Sequence, residues 1–117
     1  LNPSNFFCPV IDARRMEAYF AVYDYHLTNI FPPSAGKITI EFLQNILPEN
    51  KIILFGNGSN KFRSQLTDNR ISFIDFSGQT AKDMIKISHK MYNENLFAEL
   101  AYAEPFYVKD FYTGDKK

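Results

Sequence analysis

The sequence predicts an α/β domain with a mixed sheet that opens with a β-hairpin and is packed by helices. The first two apolar runs lie close enough along the chain to pair as a hairpin. Further apolar runs, bounded by turn residues, then alternate with segments of helical period. Hydrophobic residues fill 45% of the 117 positions and aromatic residues 16%, so one packed domain spanning residues 1–117 is expected.

The opening hairpin is predicted from two different patterns. Residues 6–12 form an apolar run bounded by polar turn residues, which is typical of a short buried strand. Residues 16–23 alternate between two faces, and this is the period of a strand with one buried face. The predicted inner face carries Met16, Ala18, Phe20 and Val22.

A turn and a helix are expected next. A loose connection leads to Ile30 and Phe31, a possible third strand, and Pro-Pro-Ser-Ala-Gly at residues 32–36 predicts a stiff turn. Thr39 is a candidate N-cap, and Pro48 should end the helix. The apolar positions of this helix are Ile40, Leu43, Ile46 and Leu47.

The middle of the chain has the order strand, turn, helix, strand. Residues 51–55 predict a strand, and the glycine turn at residues 56–58 should end it. Ser59 is expected to cap a brief helix that carries Phe62 and Leu66, and residues 71–76 predict another strand.

The C-terminal part predicts the longest helix of the chain. Its apolar stripe consists of Ala81, Met84, Ile85, Ser88, Met91 and Tyr92. Asn93 and Asn95 should interrupt the helix, and a second helical piece should follow with Phe97, Leu100 and Ala101. Residues 103–108 are expected to be extended, and residues 115–117 form a solvated tail.

Charge and cysteine content limit the function classes. Thirteen basic and thirteen acidic residues balance, so the whole molecule has no net field to attract nucleic acid or anionic lipid. The single cysteine, Cys8, lies in an apolar segment that should raise its thiol pKa, and it fits a reducing compartment. No run approaches the roughly eighteen apolar residues of a membrane span, and we expect a cytoplasmic protein.

The turn formed by Gly56, Asn57 and Gly58 is a candidate phosphate contact. A glycine turn between a strand and a helix can present backbone N–H groups to an anion. The spacing Gly56-x-Gly58-x-x-Lys61 nevertheless lacks the Gly-Lys-Ser/Thr ending of a phosphate loop and the third glycine of a dinucleotide loop. A plain tight turn is the favoured interpretation.

Catalytic and metal sites are not expected from the remaining polar residues. The carboxylates of Asp12, Glu17, Asp24 and Asp75 could together hold magnesium, but the strand period places Glu17 and Asp24 on opposite faces. Surface charge and turn capping are the favoured roles. His26 and His89 have no second ligand at metal-binding spacing.

Three ordered patterns carry a resemblance to a known family. They are Val-Ile-Asp-Ala-Arg-Arg-Met-Glu-Ala-Tyr at residues 10–19, Phe-Gly-Asn-Gly at residues 55–58, and Ala-Glu-Pro-x-Tyr-x-Lys at residues 103–109. Together they resemble the C-terminal half of the TsaB (YeaZ) family, and most of all its Bacteroidetes members. The chain would then be the second lobe of a longer protein whose first lobe precedes Leu1.

The resemblance implies a fold and a function. The fold would be one lobe of an actin-like (ASKHA, ribonuclease-H-like) body. The function would be that of a non-catalytic accessory subunit without a cofactor, acting in the formation of N6-threonylcarbamoyladenosine at position 37 of tRNA. Its partners would be the TsaD-type transferase and the TsaE-type ATPase, engaged mainly through the first lobe, with tRNA contacted only indirectly.

Residue roles and alternatives follow from the same resemblance. Asp12, Arg14 and Glu17 would brace the contact with the other lobe or partner. The family has also been labelled a glycoprotease or M22 peptidase, yet the metal-binding histidines of the active paralogue have no counterpart here. An M22-type peptidase or nucleotide hydrolase that is active only with the missing lobe stays open as the alternative, as does a homodimer.

Overall fold

The computed structural model describes residues 3–75 and 78–108 of the chain. The described residues fall into two compact units, residues 3–75 with Val108 and residues 78–107. The first unit contains a sheet and a helix, and the second contains a helix. No helix in these two described stretches is both long and apolar enough to cross a membrane.

The first unit is built on a five-stranded mixed sheet. Its strands are β1 (Asn5–Asp12), β2 (Ala18–Tyr23), β3 (Asn29–Gly36), β4 (Lys51–Phe55) and β5 (Ile71–Phe73), in the order β3-β2-β1-β4-β5. Strands β1, β2 and β3 are antiparallel neighbours, whereas β4 runs parallel to β1, and β5 parallel to β4. The expected mixed sheet with an opening hairpin is therefore confirmed. Helix α1 (Ile40–Ile46) follows β3 in the chain, and a 3-10 turn (Asn60–Phe62) lies between β4 and β5.

The register of the hairpin places the apolar residues of its two strands together. Val10 pairs with Phe20, and Asp12 pairs with Ala18, so the apolar residues of both strands lie on one face. Thr39 is the N-cap of helix α1, and its hydroxyl accepts a hydrogen bond from the Phe42 N–H at 3.1 Å. The predicted N-cap is confirmed.

The prediction of a stiff turn at residues 32–36 is wrong, because these residues belong to strand β3. Proline lacks an N–H donor and is tolerated in sheets only at edges and bulges. Strand β3 is an edge strand, and its pairing with β2 shifts register between Phe20 and Val22, beside Pro32 and Pro33. Both conditions for proline in a strand are met.

The core lies on the sheet face that α1 covers. Three phenylalanine rings contact one another there: Phe31 and Phe42 meet edge to face at 4.9 Å, and Phe20 and Phe42 at 5.4 Å. The predicted apolar positions of α1 and of the 3-10 turn thus pack as expected. The buried cluster consists of Cys8, Val10, Ala18, Phe20, Val22, Ile38, Leu43, Leu47, Ile52, Leu54, Phe62 and Leu66.

The opposite face of the sheet is also apolar. Ala21 and Ile53 are buried there, and Ile11 is 47% exposed. The aromatic side chains of Phe7, Tyr19, Tyr23 and Phe55 on this face are half-buried. A sheet with two apolar faces is typical of a layer that packs on both sides.

The second unit contains a 3-10 turn (Ala81–Met84) that leads into helix α2 (Ile85–Asn93). Thr80 and Asp83 form a reciprocal capping box at its start. The helix ends at the predicted asparagines, and Asn95 has a left-handed φ of 58°. Every residue described in this unit is exposed.

Three C-terminal expectations have different outcomes. The prediction of a second helical piece is wrong, since no helix follows Asn93 within the described residues. Strand β5 ends at Phe73, before the predicted end at residue 76, which lies outside the described residues together with residues 109–117. Residues 103–108 form no strand.

Candidate functional site

The candidate site lies where β1 and β4 end side by side. Parallel neighbours finish at the same edge of a sheet, so the residues that follow them meet there. We call this region the β1 corner. It comprises Asp12, the loop at residues 13–17, the turn at residues 56–58, and Lys61.

Lys61 fastens the β1 corner. Its Nζ lies 2.5 Å from Asp12 Oδ1, and it donates to the backbone carbonyl of Arg15 at 2.9 Å and to that of Glu17. An ammonium group has three donors, and all three are used here. The side chain of Lys61 thus ties the loop after β1 to the segment that follows β4.

The carboxylate of Asp12 is held in its ionised form. The hydrogen bond from Lys61, followed by that from the Arg14 backbone N–H at 3.0 Å, lowers the pKa of Asp12 below its ordinary value. Glu17 N–H donates to the Arg14 carbonyl at 3.1 Å, which closes the loop. The structure therefore brings Asp12, Arg14 and Glu17 together, and their role in a lobe contact stays a prediction.

The turn at residues 56–58 rests directly on the backbone of β1. Gly58 N–H donates to the Val10 carbonyl at 3.0 Å, and Asp12 N–H donates to Asn57 Oδ1 at 2.9 Å. A Cβ on Gly56 would lie 2.3 Å from the Val10 oxygen, and one on Gly58 would lie 2.6 Å from the Asp12 nitrogen. Close approach of two backbones explains both glycines.

The same contacts bear on the phosphate interpretation of this turn. The N–H of Gly58 is donated to Val10, and the N–H of Ser59 to the Gly56 carbonyl at 3.2 Å. Two donors that an anion would need are already engaged, which favours the plain tight turn. Ser59 occupies the N-cap position of the 3-10 turn, as predicted, but its hydroxyl makes no capping hydrogen bond and donates to the Gly56 carbonyl at 2.9 Å instead.

Two arginines project from the β1 corner. Arg14 and Arg15 adopt left-handed φ values of 71° and 51°, which are uncommon for residues other than glycine. Both are exposed, and Arg14 also acts electrostatically on the Asp12 carboxylate. The fixed loop thus presents two guanidinium groups to solvent.

The four candidate carboxylates do not come together. Asp24 accepts from the backbone N–H groups of His26 and Thr28 at the far end of β2, and Asp75 pairs with Arg63 at 2.9 Å. Within the described part of the chain, no group of three or more His, Cys, Asp or Glu side chains is arranged to hold a metal ion.

Cys8 and the two histidines occupy ordinary positions. Cys8 is fully buried in β1, and this burial raises the pKa of its thiol to about 12, so the predicted direction is confirmed. His26 is exposed beside Tyr25 in the turn after β2. His89 is exposed on α2, with its Nε2 3.1 Å from the Asn93 side-chain nitrogen.

Sequence reasoning missed the roles of Asn57 and Lys61. The spacing from Gly56 to Lys61 is visible in the sequence, but without the fold it indicates only a tight turn or a defective phosphate loop. In the fold, the same spacing places an amide oxygen and an ammonium group against the end of β1. The signal was therefore present, but its partner segment lies more than forty residues earlier.

Comparison with known proteins gives no identification. The chain matches no protein-family model, and no curated protein is significantly similar to it.

Proposed function

We propose that this chain is one lobe of a non-catalytic accessory protein with an actin-like, ribonuclease-H-like fold. It supports a TsaD-type transferase in forming N6-threonylcarbamoyladenosine at position 37 of tRNA. The proposal starts from the sequence pattern at residues 10–19, which occupies the end of β1, the following loop and the start of β2.

The β1 corner is the observation that carries the proposal. Asp12 and Lys61 neutralise each other, and both are committed to holding the loop. Arg14 and Arg15 remain exposed on that loop. A preorganised loop with exposed guanidinium groups suits protein contact, because arginine is enriched at interfaces and a rigid surface loses little entropy on binding.

Sheet architecture supports the fold part of the proposal. The mixed sheet begins with a hairpin and is covered on one face by α1, as the resemblance predicts. The other face carries the half-buried rings of Phe7, Tyr19 and Tyr23. An apolar face of this kind suits packing against a second layer, which a companion lobe or partner would supply.

The proposed partners are a TsaD-type catalytic subunit and a TsaE-type ATPase, engaged mainly through a first lobe. Contact with tRNA is indirect in this proposal, and no cofactor is required of this chain. The proposed location is the cytoplasm, where tRNA is modified.

Reconstitution tests the proposal. The protein, with any residues that its gene encodes upstream of Leu1, is combined with the TsaD-type and TsaE-type proteins of the same organism, tRNA, ATP and the threonylcarbamoyl donor. We expect modified tRNA only when this protein is present. Arg14→Ala should weaken partner binding, whereas Lys51→Ala, an exposed lysine at the start of β4, should not.

Three results would count against parts of this proposal. Full modification without the protein would exclude an accessory role in this reaction. Hydrolysis of peptides or nucleotides by the purified protein alone would favour the enzyme alternative. Equal partner binding by the Arg14→Ala and Lys51→Ala variants would remove the β1 corner from the interface.

A further inference from the structure

Asn57 and Gly58 form an Asn-Gly pair, the sequence in which asparagine deamidates most easily. Asn57 is the only asparagine in the sequence that precedes a glycine. Glycine has no side chain to crowd its backbone nitrogen, so that nitrogen can reach the preceding asparagine side chain more easily than in any other pair. Asn57 is also exposed, so water has access to it.

We propose that Asn57 is the deamidation site of this chain, and that the fold restrains the reaction by holding the turn at residues 56–58 on β1. In the reaction, the Gly58 nitrogen attacks Asn57 Cγ and forms a succinimide ring. The side-chain amide leaves as ammonia and takes up the proton from the Gly58 N–H. One water then opens the ring, giving aspartate or isoaspartate at position 57.

Two hydrogen bonds oppose this attack in the folded chain. The Gly58 N–H is donated to the Val10 carbonyl at 3.0 Å, so the nucleophile is directed towards β1. The Asn57 amide is fixed by accepting the Asp12 N–H at 2.9 Å. Attack needs the reacting atoms aligned at close range, and both bonds must open before that alignment is reached.

Gly58 cannot be replaced by another residue to prevent deamidation of Asn57. A Cβ at position 58 would lie 2.6 Å from the Asp12 nitrogen and 2.7 Å from the Ile11 carbonyl carbon, both of which are backbone atoms. Close packing on β1 therefore requires glycine, and glycine creates the reactive pair. The same packing supplies the hydrogen bonds that protect it.

Lys61 connects the protection to the rest of the β1 corner. It holds the loop after Asp12 through Asp12 Oδ1 and two carbonyls, and thereby steadies the Asp12 N–H that fixes Asn57. Loss of Lys61 should allow the turn to separate from β1 more often. The rate of a reaction that needs an opened state follows the population of that state.

The test follows deamidation of each asparagine by mass spectrometry with peptide fragmentation, at mildly alkaline pH, in buffer and in concentrated urea. In urea, Asn57 should react faster than every other asparagine, including Asn60 three residues later. In buffer, its rate should fall about tenfold or more, because two hydrogen bonds must open first. Lys61→Met should raise the rate in buffer, and Lys51→Met should leave it unchanged.

Each opposite result overturns part of the proposal. Another asparagine reacting fastest in urea would refute the assignment of the site. Equal rates for Asn57 in buffer and in urea would refute control by the fold. Equal rates in buffer for the parent chain and Lys61→Met, with both shown by circular dichroism to be folded, would exclude Lys61 from that control.

Discussion

Lys61 and Asp12 are separated by 49 positions in the sequence, and their side chains meet at 2.5 Å at the end of strand β1. The pair joins the loop of the opening hairpin to the segment that follows β4. It therefore fixes the end of the two central strands, and the first two predictions test its contribution.

Replacing Lys61 with methionine should lower the free energy of unfolding by about 2 kcal/mol, because hydrogen bonds from a charged donor are lost while the alkyl part of the side chain remains. Urea unfolding measures this value. The matched control is Lys51→Met, which removes an exposed lysine from the other end of β4 and should change stability by about 0.5 kcal/mol or less. Equal effects for the two variants would contradict the fastening role.

Acid should weaken the first unit partly through Asp12. Its pKa in the folded chain lies below the ordinary value of 3.8, so its contribution is complete above that value. The contribution is lost as the pH falls below 3.8 through the lower folded pKa. Asp12→Asn should therefore show a shallower loss of stability on acidification than the parent chain.

Urea unfolding at a series of pH values, with an NMR titration of the Asp12 carboxyl, measures this effect. The pKa of Asp68 is also lowered, chiefly by hydrogen bonds from Arg70, so some acid dependence should remain in the Asp12→Asn variant. Identical pH profiles for the variant and the parent chain would show that Asp12 makes no such contribution.

Gly56→Ala should destabilise the sheet severely, by about 3 kcal/mol or more. The alanine would have to adopt a left-handed φ, and its Cβ would clash with the backbone of β1. Gly56 has a φ of 108°, and its added Cβ would lie 2.3 Å from the Val10 oxygen. Gly36→Ala is the control in the same sheet. Its φ is 154° with no atom within 4 Å of the added Cβ, and we expect a cost of about 1 kcal/mol.

Thermal unfolding followed by circular dichroism compares the two alanine variants. If Gly56→Ala and Gly36→Ala lower the midpoint equally, then backbone conformation alone determines the cost. The close packing of the turn on β1 would then contribute nothing measurable.

Cys8 should resist thiol reagents in the folded chain. It is fully buried, and the pKa of about 12 leaves it protonated at pH 8. Labelling with a chromogenic disulfide at that pH should be slow in buffer and fast in urea. Fast labelling in buffer, in a chain that remains folded, would show that β1 opens readily.

Local signals were sufficient for much of the fold. Helix α1 was predictable because its cap, its apolar period and its terminating proline all lie within ten residues. The hairpin was predictable because alternation fixes which face of β2 is buried. The apolar spacing between Ala81 and Tyr92 likewise predicted helix α2.

Tertiary context decided what the sequence did not predict. Pro32 and Pro33 resemble a turn until the sheet order shows that they lie in an edge strand. In the sequence, Lys61 resembles part of a phosphate loop. In the fold, β1 places Asp12 beside it, and the two form an ion pair. The second helical piece after Asn95 had the apolar spacing of a helix, but the left-handed residue ends the helix before it.

The two prolines of β3 also affect how this sheet can meet other chains. An edge strand normally exposes a row of unpaired N–H and C=O groups. A strand from another chain can hydrogen-bond to this row, which is one route to fibrils. Pro32 and Pro33 interrupt that row with two consecutive positions that have no hydrogen to share. A strand from another molecule would therefore pair with β5, and the three residues of β5 allow only a short pairing.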